Sequence, residues 1–347
     1  MTTCLPRTDN AALVEFGSSR PSEMDRPVSP NASGRYEIRI NEFLRGGVTH
    51  IFNEPAYFQL HASRKDDCYF QLVRRSDTKV CATVAFYAEP QGHFVSPRRG
   101  TFGGPSISPD LDLAEVEHFI QDVLAHVAEL GAHSLEMKCA PFSHDPALSS
   151  IVANVLFRAG ATLSGFDLNY DLRVDARPLS ARMDYGSRKR LQKCMREGFV
   201  AAQSDASELG RVYEVIRANR QRRAFPMTMS VSQLQDMLTT FPDRVKLFAV
   251  FADATRTQIV AAAICVAISS SVLYVLYWGD APDQQSHSPI VLLASEIHEF
   301  TRSNAYSILD IGTATVDGAP NFGLAAFKRG LGFNESLKPT YRMCLRQ

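Results

Sequence analysis

The residues with chemistry to offer gather in four short segments. From Arg182 to Arg223 the chain holds eleven basic residues: Arg182, Arg188, Lys189, Arg190, Lys193, Arg196, Arg211, Arg217, Arg220, Arg222 and Arg223. Five acidic residues stand against them, a local balance of +6. Such a cluster suits the phosphates of a nucleic acid or of a phosphorylated acceptor, and equally a solvated pair of helices. The segment SPRRGTFGGP (96–105) sets Arg98 and Arg99 beside Gly100, Gly103 and Gly104. Bidentate guanidiniums next to closely approachable backbone could hold a carboxylate or phosphate, and a plain glycine turn has the same composition. In YVLYWGD, Tyr277 and Trp278, the single tryptophan, precede Asp280; aromatic residues there either stack on a ligand or pack. Last comes LDIGTATVDGAPNFGLAAFKRGLGF (309–333), with Asp310, Asn321, Phe327 and Lys328. A carboxylate at 310 either orients and deprotonates an attacking amine or caps a loop. Lys328 either stabilises a developing oxyanion or snorkels from an amphipathic helix.

Other chemistries lack their devices. No GxSxG elbow, Walker loop, HExxH or Rossmann fingerprint is present, which removes serine-hydrolase, NTPase and dehydrogenase readings. The seven cysteines (4, 68, 81, 139, 194, 265, 344) form no CxxC pair, so neither a zinc ribbon nor a disulfide framework is expected, and a reducing cytoplasm fits. His118, Asp122 and His126 share a helix face but have no further ligands nearby in sequence, so no metal is expected. Lys plus Arg and Asp plus Glu are 37 each, so no general field favours DNA or a membrane surface, and a polyanion site must be local.

These segments need elements to position them. The 347 residues, 45% hydrophobic and 21% charged, suit a folded chain of about two domains. Residues 1–34, rich in Ser, Pro and Asn, have no hydrophobic period and read as a flexible leader. The apolar stretch 259–278 is split by Ser269–Ser271 and reads as two strands and a turn, not a membrane span.

From Arg35 onward one pattern occurs twice. Strands at 68–75 and 79–89 lead to a helix over 113–130, whose apolar positions Val116, Phe119, Ile120, Val123, Leu124 and Val127 recur at helical spacing. A strand at 133–139, a helix over 146–159 and a strand ending near 174 follow. The second copy runs through 245–252 and 259–278, a helix over 289–303, a strand at 306–312, a helix near 322–329 and a last strand. Ala132-His133-Ser134-Leu135 aligns with Ala305-Tyr306-Ser307-Ile308, and Phe157-Arg158-Ala159-Gly160 with Phe327-Lys328-Arg329-Gly330, at offsets of 173 and 170. A duplication of that length predicts two similar mixed α/β domains, 35–175 and 176–347, with a linker near 174–184.

The duplicated order, the segment SRKRLQKCMREGF (187–199) and the 309–333 segment together resemble the Fem peptidyl-transferase family, built from GNAT acyltransferase folds in tandem. The resemblance covers roughly residues 50–347. It implies two GNAT-like domains, each a mostly antiparallel sheet flanked by helices. It further implies transfer of an aminoacyl group from aminoacyl-tRNA, as donor co-substrate, to an amine on a small-molecule, glycan or peptide acceptor. Direct attack fits, since no activated Ser or Cys is evident. Phe327 and Lys328 would then face the reacting ester, and Arg188, Lys189 and Arg190 would meet the tRNA; Arg98, Arg99, Tyr277, Trp278 and Asn321 remain substrate-binding candidates, with Asp310 beside the amine. The coenzyme-A signature Arg/Gln-x-x-Gly-x-Gly/Ala is missing, and GDAPDQQSHSP stands before the helix at 289, a poor phosphate cradle. No tightly bound cofactor is expected. An acyl-CoA-dependent N-acyltransferase and a non-catalytic GNAT-like binding module are the alternatives.

Overall fold

The computed structural model describes residues 34–47, 50–284, 286–316 and 318–345. The expected leader, apart from Gly34, lies outside the described residues. The strands are β1 (Tyr36–Ile40), β2 (Cys68–Arg74), β3 (Val80–Glu89), β4 (His93–Ser96), β5 (Ser106–Ile107), β6 (Ser134–Lys138), β7 (Thr162–Arg173), β8 (Val200–Ser204), β9 (Val245–Phe251), β10 (Ile259–Ala267), β11 (Val272–Asp280), β12 (Ile308–Thr313), β13 (Thr315–Val316), β14 (Ala319–Pro320) and β15 (Asn334–Cys344). The helices are α1 (Pro55–His61), α2 (Leu113–Glu129), α3 (Pro146–Arg158), α4 (Tyr185–Arg196), α5 (Leu209–Arg222), α6 (Val231–Thr240), α7 (Pro289–Ser303) and α8 (Phe322–Gly330).

Local sequence accounts for the helices. Asp112 and Glu115 close a capping box on α2, and Gly131, at φ 86°, follows its end, the conformation that glycine adopts without penalty. The stripe Val116, Phe119, Ile120, Val123 and Val127 is buried against the first half of the sheet. Asp145 caps α3, Asp184 caps α4 and Asn321 caps α8. The 259–278 stretch forms β10 and β11 in antiparallel register, and no helix among the described residues is long and apolar enough to cross a membrane.

One sheet runs through both halves in the order β1-β2-β3-β4-β6-β15-β7-β12-β11-β10-β9-β8, with β5 on β3. The two halves exchange their final strands. β15, last in the second half, pairs with β6 of the first, while β7, last in the first half, pairs with β12 of the second. β7 and β15 pair with each other at the centre. The first half also packs onto the second: Ile51, Phe52, Tyr57 and Phe102 join the core that α5 and α6 cover, and Ile51 N–H bonds the Ile268 carbonyl at 2.9 Å. The opposite face of β9–β12 is covered by α7, α8 and α4. Leu179 and Met183, within the segment expected as a linker, are buried in that core.

Candidate active-site cleft

A cleft opens where β11 leaves β12. The two strands pair in parallel only at Val272–Ile308, Leu273–Leu309 and Tyr274–Asp310. Beyond that point β12 turns onto β7, reaching Thr313–Asn169, while β11 stays on β10 through a bulge at Ile264/Cys265. A parallel pair that splays in this way leaves strand ends with no ladder partner between them, and a cavity of about 620 Å³ fills the gap. Trp278, Gly279 and Asp280 of β11 form one wall, Thr313, Thr315 and Val316 another, and Asn321 with Gly323, Leu324 and Phe327 of α8 a third. Asn219 and Arg220 of α5, Arg223 and Phe225 just beyond it, and Ser288 and Ile290 at the start of α7 complete the lining.

The expected site residues divide around this cavity. Trp278, Asn321 and Phe327 line it, and the Trp278 and Phe327 rings approach to 6.3 Å between centroids. Asn321 uses its carboxamide oxygen to cap α8 through Leu324 N–H at 3.0 Å. Tyr277 points to the other side of β11, where its hydroxyl bonds Thr228 and its ring lies 5.3 Å beneath the Arg220 guanidinium.

Lys328 and Asp310 lie under the floor. The Lys328 ammonium donates to the carbonyls of Ile311, Gly312 and Thr313 at 2.7, 2.8 and 2.8 Å and sits 5.6 Å from the Tyr170 ring centroid. Its three protons are thereby used on the turn that ends β12. Burial pushes its pKa down to about 7, with Asp310 opposing that shift. Asp310 is fully buried; its Oδ2 accepts from Asn169 Nδ2 at 3.0 Å and meets His144 Nε2 at 2.7 Å, and its Oδ1 accepts from Gly312 N–H at 2.6 Å. Neither residue is among those that line the cavity. Both hold the β12 turn that forms its floor.

The remaining candidates lie outside the cavity. Arg98 forms ion pairs with Asp67 (2.7 Å) and Glu89 (2.8 Å), and donates to the carbonyls of His61 and Ala88. Arg99 donates to the Thr228 carbonyl at 3.2 Å, tying the 96–105 loop to the segment after α5. Arg188, Lys189 and Arg190 sit on α4; Arg188 bonds the Met183 carbonyl, and the Lys189 ammonium lies 4.7 Å from the Tyr185 ring centroid. The basic run thus reaches the cleft through its last members, Arg220 and Arg223. Sequence reasoning did not single out Asn219, whose signal is spatial: it packs against Gly279 on the neighbouring strand. Among the described residues no cluster of three or more His, Cys, Asp or Glu side chains could hold a metal.

Residues 181–329 match the family model for the acetyltransferase (GNAT) domain. No curated protein matches the sequence. Among solved structures, FemX superposes with a TM-score of 0.61 at 14% identity over 85% of this chain and 92% of that one. The L-PGS structure from Bacillus licheniformis gives 0.54 at 13% identity, over 81% and 85% of the two chains. A tandem GNAT protein from the clavulanic acid biosynthesis pathway gives 0.50 at 11% identity, over 83% and 86%. The chain therefore has a Fem-like tandem GNAT fold, and its domain match and its fold are those of acyltransferases.

Proposed function

We propose that this protein is an aminoacyltransferase that moves an aminoacyl group from aminoacyl-tRNA to an amine acceptor by direct attack in the β11–β12 cleft. The observation that carries it is the joint placement of two arginines, Arg220 and Arg223, and two aromatic residues, Trp278 and Phe225, around one cavity, with the Arg220 guanidinium held by the Pro226 carbonyl and over the Phe225 ring. Guanidiniums pair with phosphates and rings stack on bases, the recurring means of holding a single-stranded nucleotide end. The amine nitrogen would attack the ester carbonyl, forming a C–N bond as the C–O bond to the tRNA breaks, and the proton given up by the amine would leave on the tRNA hydroxyl. Past the last β12 pair, the alternate backbone N–H groups of β11 that are not turned towards β10 are donors available to the oxyanion. Lys328 and Asp310 act as positioning residues that fix the floor. The reaction would belong to the cytoplasm, where charged tRNA resides.

One observation favours a second reading. Ser288 and Ile290, at the start of α7, line the same cavity, and a helix N-terminus attracts a pyrophosphate, so acyl-coenzyme A is the alternative donor. Binding separates the two: purified protein is titrated with pooled aminoacyl-tRNA and with acetyl-coenzyme A at two salt concentrations. Tight, salt-sensitive tRNA binding without coenzyme-A binding is expected. Saturable coenzyme-A binding with negligible tRNA affinity would overturn the tRNA assignment.

A further inference from the structure

The wall of the cleft at the end of β11 holds a carboxylate with no part in the reaction as described. Asp280 lines the cavity yet is only 7% exposed. Asn219, itself 5% exposed, donates its carboxamide to the Asp280 carbonyl at 3.1 Å and also to Oδ1. Arg222 Nη2 reaches the same Oδ1 at 3.3 Å. Position 279 is tied to this arrangement, because a Cβ there would stand 2.7 Å from Asn219 Cβ and 2.9 Å from its Cγ. One carboxylate oxygen is thus held by two donors. The other, Oδ2, has no hydrogen-bond partner among the described residues, and Asp280 is one of the residues that line the cavity.

A carboxylate anchored through one oxygen, with the other presented to a cavity, is a receptor for a charged hydrogen-bond donor. Arg220 and Arg223, on the same lining, draw anions. The lining therefore carries both signs of charge, with Asp280 sharing an ion pair with Arg222 through Oδ1 and keeping Oδ2 for a second donor. We propose that Asp280 binds a primary ammonium group of the substrate. It rests on the acyl-transfer reading for the reaction but not for the binding. Two sources share this chemistry: the α-ammonium of an aminoacyl ester and the ammonium form of the acceptor amine. A simple acetyl donor carries no such group, so a donor-side ammonium would make Asp280 the residue that selects aminoacyl over plain acyl groups.

The single tryptophan is two residues from Asp280 and lines the same cavity, so Trp278 fluorescence reads occupancy. The probes are L-alanine methyl ester, N-acetyl-L-alanine methyl ester and n-butylamine, titrated into the full-length protein and its Asp280→Asn and Asp280→Glu variants. A saturable response to an ammonium probe is expected, weakened about tenfold or more in Asp280→Asn and partly restored in Asp280→Glu. The N-acetylated ester should bind at least that much more weakly than its parent in the unaltered protein, a comparison that stands even where a variant does not fold. Tighter binding of the ester than of butylamine assigns the ammonium to the donor, and equal binding assigns it to the acceptor. Equal affinity of Asp280→Asn, equal affinity for the N-acetylated ester, or no saturable response to either ammonium probe overturns the proposal. None of these readouts needs tRNA, so failure of the tRNA assignment is seen separately in the donor titration.

Discussion

His144 Nε2 lies 2.7 Å from Asp310 Oδ2, joining a loop of the first half to β12 of the second beneath the cleft. Both side chains are almost wholly withdrawn from water, at 8% and 0% exposure. A buried carboxylate survives when every oxygen is satisfied, and here His144, Asn169 and the Gly312 N–H do that together. Removing the carboxylate leaves those groups buried without partners. Asp310→Ala is expected to cost about 3–5 kcal/mol of stability, and Asp310→Asn less, because the amide keeps an acceptor. Urea unfolding of both variants measures this. Full stability in Asp310→Ala alongside lost turnover would instead return Asp310 to the chemical step.

Lys328 gives a stability that depends on pH. Its folded pKa is lowered by burial to about 7, against an ordinary 10.5, so between those values the unfolded chain binds more protons than the folded one. The resulting penalty is fully present below about pH 7 and is relieved as pH rises towards 10.5. That interval corresponds to at most about 5 kcal/mol. The three carbonyls that accept from the ammonium favour its charged form and reduce the effect. Against Lys328→Met, which has no such titration, the unaltered protein should gain stability from pH 7 to pH 9 by urea unfolding. A flat difference would show that the carbonyls offset burial completely.

Much of this architecture was legible in the sequence because it is written locally. The α2 stripe, the Gly131 stop, and the three serines splitting 259–278 each act within a few residues, and the helices over 146–159 and 289–303 begin and end within a residue of expectation. The exchange of β7 and β15 was not legible, since either strand has the same alternation whichever half it joins, and only the assembled sheet decides. The same limit applied to the site. Phe327, Trp278 and Asn321 were placed at the cleft by their neighbours in sequence. That Lys328 bonds three carbonyls was not legible, because they lie 15–17 residues earlier. Asp280 drew little notice because Asn219, which orients it, is 61 residues away.

Arg223 and Lys189 should separate the cleft from any wider nucleic-acid footprint. Arg223 lines the cavity, whereas Lys189 sits on α4 against Tyr185. Arg223→Ala is expected to weaken binding of full-length aminoacyl-tRNA and of a short aminoacylated 3′-end fragment alike, lowering the salt slope by about one. Lys189→Ala is expected to weaken only the full-length ligand. Titrations at four salt concentrations, with both ligands, read the slopes. A loss confined to full-length tRNA in Arg223→Ala would move the phosphate contact out of the cleft.

Gly279 tests the geometry of the cleft wall without removing any polar group. Its backbone needs no left-handed conformation, since it is absent from the positive-φ glycines, so strain in φ is not the issue. The constraint is space: an added methyl would meet Asn219 Cβ at 2.7 Å, Cγ at 2.9 Å and Oδ1 at 3.2 Å. Asn219 is pinned on α5, with its carboxamide committed to the Asp280 carbonyl and Oδ1, so it gives way only by releasing them. Gly279→Ala is expected to cost about 1–3 kcal/mol through overpacking, and to weaken ammonium-probe binding in the Trp278 fluorescence assay while leaving tRNA salt dependence intact. Only glycine opposite removes the Cβ contact as well as Cγ and Oδ1, so Asn219→Gly in the Gly279→Ala background should recover part of the stability, less the cost of a helical glycine, but not probe binding. Recovery of both would mean that Asn219 merely fills space and that Asp280 needs no partner to hold it.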